Sequence, residues 1–202
     1  MQNFAITGLG RSGTMFLATV MNKSKVWTVE HEPTMAAAVR AFRIRHPLIM
    51  DARHVQPRFN REHYGEVNSY LRHVLLDLDV ARRGVIIRNP YDILVSVANW
   101  KSLNALNNEL LYTFALGFRD LHRAVEAGAQ LIRFERMTTD AGYLQQTLAD
   151  FGITDVRVTP DNLQMKINTA ASYRFKAYRD LPVRMRRFYE HGVRWFVERY
   201  YH

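Results

Sequence analysis

Short apolar runs alternate with stretches in which apolar residues return every three or four positions, and this alternation organises the whole chain. Residues 3–7 read as a first strand, and Gly8-Leu9-Gly10-Arg11-Ser12-Gly13-Thr14 as the turn into a helix from Thr14 to Asn22. Val26 to Val29 predicts a second short strand ending in the polar stretch Glu30-His31-Glu32-Pro33. A helix is expected over Ala36–Arg43, then the short run Pro47 to Met50 reaches Asp51. Asn68 to Ala81 has apolar residues at 71, 74, 75, 78 and 80, which is roughly helical spacing. Gly84 is read as the break before a buried strand, Val85-Ile86-Ile87. Asn89 is a good N-cap, and Pro90 fits the first position of a helix running to about Lys101. Further helices are expected over Glu109 to Ala127, Ala141 to Phe151 and Val183 to Tyr200, with a strand from Gln130 to Phe134 and an irregular stretch from Thr159 to Asp180.

Strands alternating with helices predict an α/β fold of three layers, a mostly parallel central sheet with helices on both faces. In such folds ligands gather at the carboxyl ends of the strands. The polar groups that follow three of the strands, Gly10 to Thr14, Glu30 to Glu32, and Arg88, are therefore expected to converge. No repeat or linker divides the 202 residues, and that length suits one domain.

Composition narrows the classes. Hydrophobic residues make up 48%, which is globular rather than disordered. There is no cysteine, which excludes disulfides and Cys-based zinc sites and suits a reducing compartment. No segment approaches the roughly 20 apolar residues of a membrane span, and the N-terminus lacks a secretory pattern. A cytoplasmic protein is the expectation. The net charge of +9 rests on 28 basic residues, all but five of them arginine. That bias favours bidentate recognition of phosphate, sulfate or carboxylate. No Lys/Arg run exceeds two residues, and the densest patch, Arg184, Arg186 and Arg187, falls on an expected helix. The pattern argues against nucleic acid as a partner.

The turn after the first strand has the glycine frame of a phosphate loop, G-x-x-x-x-G-[ST], in Gly8, Gly13 and Thr14. Such a turn aims backbone N–H groups and a helix dipole at one spot. Read without an anion, the glycines only make a tight strand-to-helix turn. The lysine that would contact β- and γ-phosphates is missing, which makes this a poor ATPase or kinase loop. Two echoes of a magnesium-binding strand, Ile49-Met50-Asp51 and Leu75-Leu76-Asp77, are weak. Arg11 instead offers a planar fork suited to a tetrahedral oxyanion of lower charge.

Arg11-Ser12-Gly13-Thr14 after a first strand, together with Arg88-Asn89-Pro90-Tyr91-Asp92-Ile93-Leu94-Val95-Ser96, resembles the PAPS-dependent sulfotransferase family (PAPS is 3′-phosphoadenosine 5′-phosphosulfate). Residues 11–14 match its [KR]-S-G-T loop, and Arg88, Asn89, Pro90, Asp92 and Ser96 match its R-[DN]-P-x-D-x-x-x-S motif without a gap. Weaker likenesses are Arg133-Phe134-Glu135 and the aromatic C-terminal helix. The resemblance implies a P-loop NTPase-like fold with PAPS as sulfuryl donor and a hydroxyl-bearing acceptor. It implies that the amides of Ser12, Gly13 and Thr14, with the Arg11 side chain and the Thr14 hydroxyl, hold the 5′-phosphosulfate. Gly10 and Met15 flank that loop and are counted with it. Arg88 and Ser96 would bind the 3′-phosphate, and Phe134 would lie near the adenine. Asp92 reads as a structural charge in the first helical turn. Arg174 and Lys176 are the basic residues available for a C-terminal contact to the 3′-phosphate.

Sulfuryl transfer to an alcohol needs a base for the hydroxyl proton and positive charge on the departing phosphate. Arg11 answers the second need. Strand alternation puts Glu30 and Glu32 on one face and His31 on the other. Glu32-Pro33 resembles the E-P of carbohydrate-type members of the family, which favours Glu32 as the base, ahead of His31 and then Glu30. His54 is expected on the surface, and Trp27, Trp100 and Trp195 in the core. The eight histidines form no convincing metal-ligand cluster, so no metal is expected. The acceptor is expected on a carbohydrate or glycoconjugate, at a site left open or completed by a second copy of the chain. The rival readings are a nucleotide or small-molecule kinase with a degenerate phosphate loop and a non-catalytic polyanion-binding module.

Overall fold

The computed structural model describes residues 1–33, 51–100, 107–165 and 174–202. The helix expected over Ala36–Arg43 and the run Pro47 to Met50 lie outside these residues. Five strands form one all-parallel sheet: β1 (Asn3–Gly8), β2 (Thr28–His31), β3 (Tyr64–Val67), β4 (Arg82–Ile87) and β5 (Gln130–Arg133), in the order β2-β3-β1-β4-β5. The main helices among the described residues are α1 (Thr14–Met21), α2 (Pro90–Trp100), α3 (Asn108–Glu126), α4 (Ala141–Asp150) and α5 (Val183–Tyr201).

Alternate residues of the central strands feed two cores, which is why these strands read as continuous apolar runs. Phe4, Ile6 and Ile86 pack with α1 and α4 on one face. Ala5, Val85 and Ile87 pack with α2, α3 and α5 on the other. This is the expected three-layer α/β architecture. The caps explain several boundaries: Asn89 Oδ1 accepts from the Tyr91 N–H at 3.0 Å, Asn107 Oδ1 from Leu110, and Asp140 Oδ1 from Tyr143. Each removes an orphan donor at a helix start.

Three expectations are corrected. Residues 68–81 do not form a helix; the segment makes two 3-10 turns, Leu71–His73 and Leu75–Asp77. The apolar spacing was a true burial signal, since Leu71, Val74, Leu75, Leu78 and Val80 are all buried. The Arg83 guanidinium takes the Leu75 and Leu78 carbonyls that a continuous helix would have used itself. Gly84 is not a breaker either. It lies inside β4, where a Cβ would come within 2.6 Å of the Phe151 ring. Third, β3 was not anticipated at all. Its sequence, Tyr-Gly-Glu-Val, carries a glutamate that is fully buried, so it lacks the look of an apolar run. Arg58 makes this burial tolerable by donating to Glu66 from Nε (3.0 Å to Oε2) and from Nη2 (2.9 Å to Oε2, 3.1 Å to Oε1).

No helix among the described residues is long and apolar enough to cross a membrane. The parallel register brings the residues following Gly8, His31, Val67, Ile87 and Arg133 to one edge of the sheet, and the site lies there.

Candidate functional site

The turn after β1 is closed by a hydrogen bond from the Ser12 N–H to the Leu9 carbonyl, 3.0 Å. Two of its residues have left-handed backbones, Arg11 at φ 71° and Gly13 at φ 94°. Gly13 is required twice over: a side chain there would be strained, and its Cβ would lie 2.5 Å from the Phe134 ring. Gly13 also caps α1, with no side-chain cap and no acidic residue in the first turn. The amides that a helix start leaves unpaired thus meet a positive dipole end with no acidic residue in the first turn to answer them.

Residues 10, 11 and 13–16 open into a cavity of about 420 Å³, a size usual for small-molecule sites. On the β2/β3 side it is lined by His31, Glu32, Ser69 and Tyr70. On the β4/β5 side it is lined by Arg88, Phe134 and Thr138, and Trp100 and Met165 complete the wall.

Of the predicted residues, Gly10, Arg11, Gly13, Thr14, Met15, His31, Glu32, Arg88 and Phe134 share this cavity. Two take other positions. Ser12 lies under the loop with its Oγ buried and unpartnered among the described residues, and its N–H is spent on the turn. That leaves the loop amides from Gly13 onward as the candidates for an anion. Ser96 reaches the site through Arg11, whose Nε donates to its Oγ at 3.0 Å.

Arg88 links the two motifs. Its Nη1 donates to the Arg11 carbonyl at 2.8 Å, and its guanidinium carbon lies 4.3 Å from the centre of the Phe134 ring. Its Nε is buried without a partner among the described residues. Burial pulls its pKa down, while Asp92 and Glu135 oppose that shift. Asp92 thus does hold the structural place in the first turn of α2.

The alternation expected for Glu30, His31 and Glu32 fails at its last residue. Glu32 has φ 48°, outside strand conformation, and this turns it into the same cavity as His31. Glu30 is drawn to the sheet edge, accepting from the Tyr64 hydroxyl at 3.0 Å. His31 Nε2 lies 3.2 Å from Thr14 Oγ1 and 3.8 Å from Glu32 Oε1. Burial lowers the His31 pKa, and the Glu32 charge opposes the shift. Glu32 Oε1 accepts from Ser69 Oγ at 2.5 Å. Burial, then the Glu32 charge, raises the Tyr70 pKa.

Trp100 corrects another expectation. It is 61% exposed rather than core, and Arg11 Cζ lies 5.6 Å from its ring centre. Trp27 is buried as expected, Trp195 packs against the core partly buried, and His54 is exposed. Arg174 and Lys176 are exposed and do not line the cavity. Ser69 and Tyr70 were missed because β3 was missed; the polar triplet Asn68-Ser69-Tyr70 after a strand end was the signal available. Among the described residues no group of three or more His, Asp or Glu is arranged to hold a metal ion. No protein-family model and no curated protein sequence matches the chain, so the chemistry of the site has to be read from its geometry.

Proposed function

We propose that the protein is a sulfotransferase that moves a sulfuryl group from PAPS to an acceptor hydroxyl, on a carbohydrate or glycoconjugate, releasing adenosine 3′,5′-bisphosphate. One observation carries the reading. Arg88 holds the Arg11 carbonyl and Arg11 holds Ser96, so the two motifs that resemble the sulfotransferase family are hydrogen-bonded to each other at one cavity, which Arg11 and Arg88 both line. The start of α1, without a side-chain cap, and the Arg88 guanidinium on the cavity wall fit a ligand with two separate anionic groups. The kinase reading has less support. Asp51 caps its own turn and pairs with Arg53, and Asp77 is exposed away from the cavity.

When bound, PAPS supplies a sulfuryl group joined to a phosphate leaving group. The α1 amides and the Arg11 guanidinium hold negative charge at the loop, in a site where fixed dipoles act strongly. Glu32 takes the proton of the acceptor hydroxyl. His31, kept neutral by burial near pH 7, directs the Thr14 hydroxyl from 3.2 Å. Trp100 stands exposed at the cavity wall, with the Arg11 guanidinium 5.6 Å from its ring centre.

Thermal shifts with adenosine 3′,5′-bisphosphate and with ATP–Mg²⁺ test the reading. At 100 times its dissociation constant a ligand adds about 2.7 kcal/mol, or roughly 5–10 °C for a chain of this size. Stabilisation by the bisphosphate alone is expected. Stabilisation by ATP–Mg²⁺ alone would replace the reading with the kinase. With an acceptor in hand, Glu32→Gln should lower kcat by about 10²-fold or more.

A further inference from the structure

The carboxylate of Glu32 is held in place at considerable cost. Its backbone is left-handed at φ 48°, a conformation strained for a non-glycine residue. Oε1 accepts from Ser69 Oγ at 2.5 Å and lies 3.4 Å from the Ser69 N–H. The Ser69 carbonyl in turn accepts from Arg72 Nη1 at 2.7 Å. The Arg72 side chain is only 7% exposed. Its Nε has no hydrogen-bond partner among the described residues, and the nearest acid, Asp120, lies 4.0 Å away. On the other side of Ser69, the Tyr70 N–H donates to Asn68 Oδ1 at 2.9 Å, and Asn68 Nδ2 donates to buried Glu66 at 2.6 Å.

A buried cation so incompletely paired is a poor way to stabilise a turn, since an apolar residue of similar volume would serve as well or better. Polar groups left unsatisfied in a folded chain call for a local reason. The geometry points to one. We infer that Ser69 and Arg72 are positioning residues for the Glu32 carboxylate. Arg72 fixes the Ser69 peptide plane, Ser69 ties down Oε1, and the carboxylate is locked in one orientation toward the cavity. Neither residue touches a reacting atom. The catalytic meaning of this device rests on the reading of Glu32 as the base; its structural content does not.

Among the described residues, Glu32 shares the cavity with His31 from β2, Thr14 and Arg11 from the loop and α1, and Ser69 and Tyr70, with Arg72 behind them. The test is therefore site-specific. The Glu32 side chain is followed by NMR at pH 7.5, its resonances assigned by their loss in Glu32→Gln, and its three-bond couplings report whether it holds one staggered rotamer. Wild type should show a single rotamer, Ser69→Ala and Arg72→Met should show averaging among rotamers, and Ser69→Thr should keep the single one. A merely structural turn would leave the couplings unchanged in all three, and that result would overturn the inference. If Arg72→Met does not fold, the Ser69 pair decides alone. Wild-type binding of adenosine 3′,5′-bisphosphate is measured alongside. Its failure counts against the sulfotransferase reading and leaves the rotamer result standing.

Discussion

The cavity has two flanks, separated by β1, and they are built in different ways. On the β4/β5 flank, Arg88 follows the end of its strand, Asn89 caps the next helix, and Phe134 sits at the end of β5. This flank presents fixed positive charge and an aromatic face. On the β2/β3 flank, the groups that can handle a proton, His31 and Glu32, depend on distant supports. Glu32 is strained and leans on Ser69, Ser69 on Arg72, and β3 on the buried pair Arg58–Glu66. A fixed charge needs only to be near its ligand, and local sequence can achieve that. Under the proposed function Glu32 would accept a proton and would have to be oriented, and the groups that hold it come from far along the chain.

The comparison can be broken most severely at Arg58. Arg58→Ala leaves Glu66 buried and unpaired, and should destabilise the fold by about 3–5 kcal/mol in urea unfolding. Truncation on the other flank, Arg88→Ala, should stay within about 1 kcal/mol of wild type, because it removes one hydrogen bond and one ring contact at a group already short of partners. Equal losses would refute the contrast. Gly13→Ala acts between the flanks. With φ 94° and Phe134 at 2.5 Å, it should cost about 2–3 kcal/mol and abolish anion binding at the loop.

The smallest effect is the dependence on pH. Burial lowers the pKa of His31, and burial with Arg72 lowers that of His73. The unfolded chain therefore binds these protons first, and their contribution, fully present above about pH 6.5, is lost as pH falls below it. The slope is at most about 1.4 kcal/mol per pH unit for each histidine. Thermal melts of wild type and a His31→Gln, His73→Gln double variant between pH 7.5 and 5.5 should show a steeper acid loss in wild type. Parallel curves would contradict it. Among the described residues lining the arginine flank there is no histidine.

Most of the fold was legible in the sequence because most of it is local. β1, α1, α2 and its cap, α3, α4 and α5 were each announced by an apolar period or a capping residue within a few positions. β3 was not legible, because a strand containing Glu66 looks polar until Arg58 is known to pair with it. The Leu71–Val80 segment misled because helices and successive 3-10 turns bury residues at similar spacings. The same division holds for the site. Gly13, Thr14 and Arg88 could be read from contiguous motifs. That the stretch after β2 would meet the loop and Arg88 could also be read, from the strand ends. That His31 and Glu32 would face the same cavity could not, since it depends on one left-handed backbone at Glu32, and neither could the exposure of Trp100, which an indole's apolar character argues against. Ser69 was hidden with the strand that carries it.

The central claim is that the loop and Arg88 form one site for a nucleotide with two separate phosphates. Calorimetric titration of wild type and Arg88→Ala with adenosine 3′,5′-bisphosphate and with adenosine 5′-phosphate tests it most directly. The account predicts that wild type prefers the bisphosphate by at least about tenfold, as expected for a charge-assisted contact. Arg88→Ala should lose that preference while binding the monophosphate nearly as before. A wild-type protein that binds the two nucleotides equally, or a preference that survives Arg88→Ala, would contradict it.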